Sequence, residues 1–201
     1  NYERVGNIID RIDAFQTESA AEHGLTLHGS EPYQERINQA SEVSDVTAVI
    51  DEYTKKFGMS FEIPERWDIR DLLVEFNPVD QGTIDLPTYK LGARYFMSVL
   101  SRLPEEVVKL SGFKKIQLVR DMYLTLMQSD SKKAGAANVY NNVMYLDFDG
   151  FNTNSLGIYT RHELSHGIDA TICGDSGHMR DSEYESLNPE DSVMESLERI
   201  Y

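Results

Sequence analysis

A single cysteine, Cys173, stands among 201 residues. No intrachain disulfide can form, and a zinc site built from several thiolates is excluded. Long apolar runs are missing too: nothing approaches the about 18 uninterrupted apolar residues that a membrane-spanning helix needs. Positive charge is scarce. Nineteen Lys and Arg face 34 Asp and Glu, for a formal net charge of -15. So acidic a chain repels phosphate backbones, which argues against nucleic acid as a partner. It favours solubility and, more weakly, a basic partner. The opening residues lack a charged segment followed by an apolar one, so no secretory signal is expected in them. No repeat and no low-complexity tract is present. What is present in ordinary measure is apolar content, 40%, enough for a sizeable core.

Apolar spacing divides the chain into two textures. Residues 4–24 predict a helix, with Ile8, Ile9, Ile12 and Phe15 on one face. A second helix is expected from Tyr33 to Phe57, burying Ile37, Val43, Val46, Ile50 and Tyr53, with Gly58 as its stop. Signals are mixed from 59 to 90, where Pro64, Pro78, Gly82 and Pro87 punctuate short segments. Residues 88–103 read as a helix, and Pro104 opens a shorter one ending near Gly112. Strands are expected at 115–119 and 143–148, separated by a polar, Gly- and Ala-rich turn region at 129–138. Residues 152–155 offer N-caps to a helix running to about Thr171. A loop follows at 173–177. A last helix starts near Asn188-Pro189-Glu190, where proline suits the first turn.

The helix ending near Thr171 carries His162-Glu163-Leu164-Ser165-His166. Two histidines four apart stand one turn apart on one helix face, where a single tetrahedral metal ion can take both imidazoles. Glu163 follows the first directly. Its carboxylate can reach a water beside such an ion without binding the ion itself. The pattern supplies a metal to acidify water and a base to receive its proton.

The run His162 to Asp169 resembles the HExxH-x-x-D helix of the anthrax lethal factor-like peptidases, gluzincins that include the Pro-Pro endopeptidases. A second block, Tyr184 to Glu195, resembles the family's segment in which a tyrosine precedes the third zinc ligand by seven residues. Asp191-Ser192-Val193-Met194-Glu195 occupies the place of the family's E-F-F-A-E. The resemblance covers roughly residues 113–201 and departs at one position, Asp191, where the family has glutamate. Aspartate ligates zinc but is one methylene shorter, so Glu190 and Glu195 stand beside it as alternative ligands. The resemblance implies one Zn2+ per chain held by His162, His166 and Asp191. It also implies Glu163 as general base and Tyr184 as donor to the oxyanion. Asp169 and Glu195 would orient ligands from behind. The metzincin pattern is absent, because Asp169 and Ile172 stand where it needs Gly and His. Asp175 and His178 are further ligand candidates just past the helix, and Cys173 is expected to be an unreactive thiol.

The expected fold is α+β: a zincin-like domain over 91–201, with a small mixed sheet, an active-site helix and a C-terminal ligand helix. A mainly helical region, 1–90, precedes it as a subdomain or as part of the same domain. The resemblance also implies that the strand at 143–148 is the edge that pairs with extended substrate. The function this implies is a zinc endopeptidase acting on peptides or proteins outside the producing cell. A lethal factor-like module that binds a protein without turnover is the alternative. A helical interaction domain with a chance motif is the third reading.

Overall fold

In the computed structural model the described residues are 28–65, 74–124, 133, 135–151 and 156–173. The expected helices at 4–24 and from 188 onward lie outside them, as do Asp175, His178, Tyr184, Glu190, Asp191 and Glu195. The described chain is α+β, with helices and one small mixed sheet.

The helix expected over 33–57 is two helices, α1 (Glu31–Gln39) and α2 (Val43–Lys55). The break is local chemistry. Glu42 is extended, and the Asp45 side chain accepts from the backbone N–H of both Ser41 and Glu42, restarting the helix with a capping box. Gly58, with φ of 78°, takes the left-handed conformation past the end of α2, as expected of a stop there. The long helix α3 (Leu86–Ser101) begins two residues before the expected 88, because the Asp85 side chain caps it by accepting from the Thr88 N–H. Pro104 caps the short α4 (Glu105–Leu110).

Five strands make the sheet: β1 (Ser60–Glu62), β2 (Val74–Asn77), β3 (Lys115–Leu124), β4 (Gly135–Asn138) and β5 (Val143–Asp147). β3 is parallel to β1 along its first residues and to β5 on its other side. Its second half pairs antiparallel with β2. There the register slips between Glu75 and Asn77, opposite Asp121, whose φ is 51°. This is a β-bulge, which re-aims the strand so that Val119 and Met122 reach the same small core. β4 and β5 form an antiparallel hairpin with Asn138 opposite Val143. The turn between them is held by the Asn138 side chain accepting from the Asn141 N–H.

Two sequence expectations change here. Residues 135–138, expected within a turn region, are a strand. β5, expected to be the edge, lies between β3 and β4, so its backbone groups are committed on both sides. Among the described residues β4 pairs only with β5 and forms that margin of the sheet.

The short α5 (Phe148–Phe151) and the long α6 (Leu156–Cys173) complete the described chain. One core takes residues from both halves of the sequence: Ile37, Ile50 and Tyr53 from the first helices, Phe96 and Leu100 from α3, Ile116, Leu118, Met144 and Leu146 from the sheet, and Leu164 from α6. The described part of the N-terminal ninety residues therefore shares its core with the sheet and α6. Phe61, Phe96 and Phe151 meet with tilted rings and centroids 5.7–6.2 Å apart. Burial of this kind contributes on the order of 2 kcal/mol per large side chain. A smaller cluster, with Val74, Phe76, Val119, Met122, Ala136 and Tyr145, involves the alternate side chains of the same strands. Among the described residues no helix is long and apolar enough to cross a membrane.

Candidate metal centre

Helix α6 carries the candidate site, and its placement begins with what it buries. Leu156, Thr160, Glu163, Leu164 and Gly167 are buried, a stripe with spacings of three and four. Arg161, His162 and Ser165 are exposed, and His166 is half-buried. The stripe is short of apolar side chains, since two of its five members are polar and one is glycine. The helix packs close instead. A Cβ at Gly167 would stand 2.3 Å from the backbone oxygen of Ser111 and 2.7 Å from the Phe113 ring. Only a residue without a side chain lets α6 lie against the segment that feeds β3.

The His162 and His166 rings are perpendicular, with an interplanar angle of 86° and centroids 4.6 Å apart. Their Nε2 atoms converge to 3.0 Å. Two nitrogens bound to one tetrahedral zinc ion lie roughly 3.3 Å apart, so the pair fits such an ion with a small ring rotation. Both lone pairs would then point at the ion and both Nδ1 atoms would carry the proton. The Ser165 hydroxyl donates to the His162 carbonyl oxygen at 2.6 Å, a local back-bond on the turn between the two histidines.

Glu163 points the other way from the solvent. It is 5% exposed, and its carboxyl lies against Gly135 at the start of β4: a Cβ there would meet Oε1 at 2.7 Å. Burial pushes the carboxyl up to about 8, because a carboxylate loses hydration there. A dication beside it would favour the ionised form again. Without such a charge the buried carboxyl holds its proton at neutral pH.

Asp169, half-buried, follows on the same helix, and Cys173 is that helix's last residue. His162 and His166 are thus brought together on one face of the helix, while the Glu163 side chain packs against Gly135. Among the described residues no group of three His, Cys, Asp or Glu side chains forms a complete metal-binding set. Tyr184 and the three candidate third ligands, Asp191, Glu190 and Glu195, lie outside the described residues. One residue escaped the sequence reading: Gly135. The available signal was a small-residue segment separated from a strong strand by a turn ending in Asn141-Asn142, the layout of a hairpin. Comparison with protein-family models, with curated proteins and with solved structures finds no match.

Proposed function

We propose that this chain is a zinc-dependent endopeptidase of the zincin type, with His162 and His166 as two ligands of one Zn2+ and Glu163 as the general base. The observation that carries the reading is the pairing of converging imidazoles with a buried carboxyl one residue away. A fold gains nothing in stability from Glu163 in the buried stripe of α6. An apolar residue there would avoid the desolvation of a carboxylate, which costs on the order of several kcal/mol when unpaired. Its placement makes sense as chemistry.

The ion would supply charge to acidify a water and to polarise the scissile carbonyl. With such an ion bound, Glu163 would accept a proton from the attacking water and hand it to the leaving amine. Asp191 is the proposed third ligand, with Glu190 and Glu195 as alternatives at that position. Tyr184 donates to the developing oxyanion. Asp169 and Glu195 hold ligating groups in orientation. The substrate is an extended peptide, and among the described residues the strand with a margin open to pair with it is β4, beside α6. The likeness of the 162–169 and 184–195 blocks to the lethal factor-like peptidases supports the same assignment.

Metal analysis together with a peptide-library digest tests it. The purified protein should hold about one zinc per chain. His166→Ala should release it and lower the unfolding temperature, since the ion binds the folded form. Glu163→Gln should keep the zinc and lose on the order of 10²–10⁴-fold in turnover. Zinc without cleavage of any peptide would favour the binding-module alternative. A protein that takes up no zinc on reconstitution would end both readings.

A further inference from the structure

The position of the buried Glu163 carboxyl is set by the packing around it. Gly135 opens β4 and pairs with Leu146 of β5, a fully buried core residue, so the β4 backbone is held in register. Opposite it, α6 is held by the contact of Gly167 with the Ser111 carbonyl. The two backbones leave a slot between them, and the Glu163 side chain fills it. A Cβ on residue 135 would lie 2.7 Å from Oε1, 3.0 Å from Cγ and 3.1 Å from Cδ of Glu163. Approaches under about 3 Å are repulsive for any carbon–oxygen pair.

We propose that Gly135 is a positioning residue for Glu163: its missing side chain is the space the carboxyl occupies, and any larger residue rotates that carboxyl out of the slot. The inference rests on the peptidase reading for its consequence in turnover, but not for the contact itself. What yields is decided by stiffness. Both backbones are pinned by the core, whereas Glu163 has three rotatable side-chain bonds. The substitution Gly135→Ala therefore moves a side chain and leaves the fold. A misplacement of the base by about 1 Å is enough to cost on the order of 100-fold in rate.

The test is a double-mutant cycle on the full chain, read in two ways. In zinc-loaded protein, Gly135→Ala should keep about one zinc per chain and lower kcat by at least about tenfold with KM changed less than about twofold. In the Glu163→Gln background the same substitution should lower kcat no further. A rise in KM at unchanged kcat would overturn the proposal, because it would place Gly135 in substrate binding alone. So would an equal fall in both backgrounds. The second reading is the unfolding temperature of the metal-free protein. Gly135→Ala should lower it in the wild type and leave or raise it in a Glu163→Ala background, where the slot is empty and alanine suits a strand better than glycine. Additive shifts would overturn the contact. A wild type with neither zinc nor cleavage ends the peptidase reading, and the thermal cycle still decides whether Gly135 sets the place of Glu163.

Discussion

Helix α6 meets its surroundings at two glycines, and what stands opposite differs. At Gly167 the glycine belongs to the helix and faces a backbone carbonyl and an aromatic ring. At Gly135 the glycine belongs to the neighbouring strand and faces the flexible end of Glu163. The first contact locates a helix, because the backbone carbonyl of Ser111 cannot rotate out of the way. The second locates one functional group, because the group can. The two are separated by a single turn of α6, yet they predict different failures: loss of structure in one case, loss of aim in the other.

The largest effect should come from Gly167→Ala. Its Cβ would fall 2.3 Å from the Ser111 oxygen, so α6 or the 111–113 segment must shift. Alanine's better helix propensity returns only about 1 kcal/mol. Overpacking against an unyielding backbone should outweigh that and leave a net loss of about 3 kcal/mol. Denaturant titration of the metal-free protein reads it directly. His166 precedes this residue, so zinc affinity should fall as well. A variant as stable as the wild type would mean that the backbone contact yields, and the contrast between the two glycines would collapse.

That contrast could not have been read from the sequence, although much around it could. The histidine pair was legible because helical spacing converts a sequence interval into a shared face. Helix α3 was legible from its apolar spacing, but its start was misjudged by two residues because Asp85 was not read as its cap. β4 was not legible as a strand, because Gly135-Ala136-Ala137-Asn138 has no β-branched or aromatic residue. Hydrogen bonding to β5 makes it one. Displacing β5 from the edge followed from the same omission. The break between α1 and α2 was hidden because Ile37, Val46, Ile50 and Tyr53 read as one stripe, while the interruption depends on Asp45 binding backbone behind it. The burial of Glu163 lay in the 156-160-163-164-167 stripe, obscured by how few of its members are apolar.

The next effect is electrostatic and sharpens the Gly135 side of the comparison. In metal-free protein the folded-state carboxyl of Glu163 is raised from 4.5 to about 8 by burial. Between those values the folded chain holds a proton that the unfolded chain has released. Stability is therefore greatest below about 4.5 and falls as pH rises through the window toward 8. From pH 5.5 to 7 the fall from this one group should be about 2 kcal/mol. Asp85, held below the ordinary carboxylate range by the Thr88 hydroxyl and N–H, and Asp45, held down by the Ser41 N–H, act in a lower window and with the opposite sign. The difference between wild type and Glu163→Gln isolates the buried group, since glutamine does not titrate. Parallel stability–pH curves for the two would show that the carboxyl is hydrated, and the slot beside Gly135 would lose its meaning.

The smallest effect comes from the opposite margin of the sheet and separates stability from aim. β1 pairs with β3 on one side, and on the other the Phe61 N–H donates to Asp51 Oδ1 at 2.9 Å. Asp51 sits on α2 and also pairs with Lys55 at 2.5 Å. The side chain thereby satisfies an edge-strand donor and ties the helix to the strand. Asp51→Ala removes the acceptor, and Asp51→Asn keeps one. Loss of a partly buried hydrogen bond of this kind costs about 1 kcal/mol. The alanine variant should be destabilised by that amount and the asparagine variant by less. On the proposed peptidase reading, both should bind zinc and turn over peptide at the wild-type level, because neither pinned backbone of the Glu163 slot is involved. Calorimetry beside a zinc titration checks both halves. If Asp51→Ala slowed turnover as Gly135→Ala is expected to, general loosening of the fold would explain both, and the aim of Glu163 would no longer need a glycine to set it.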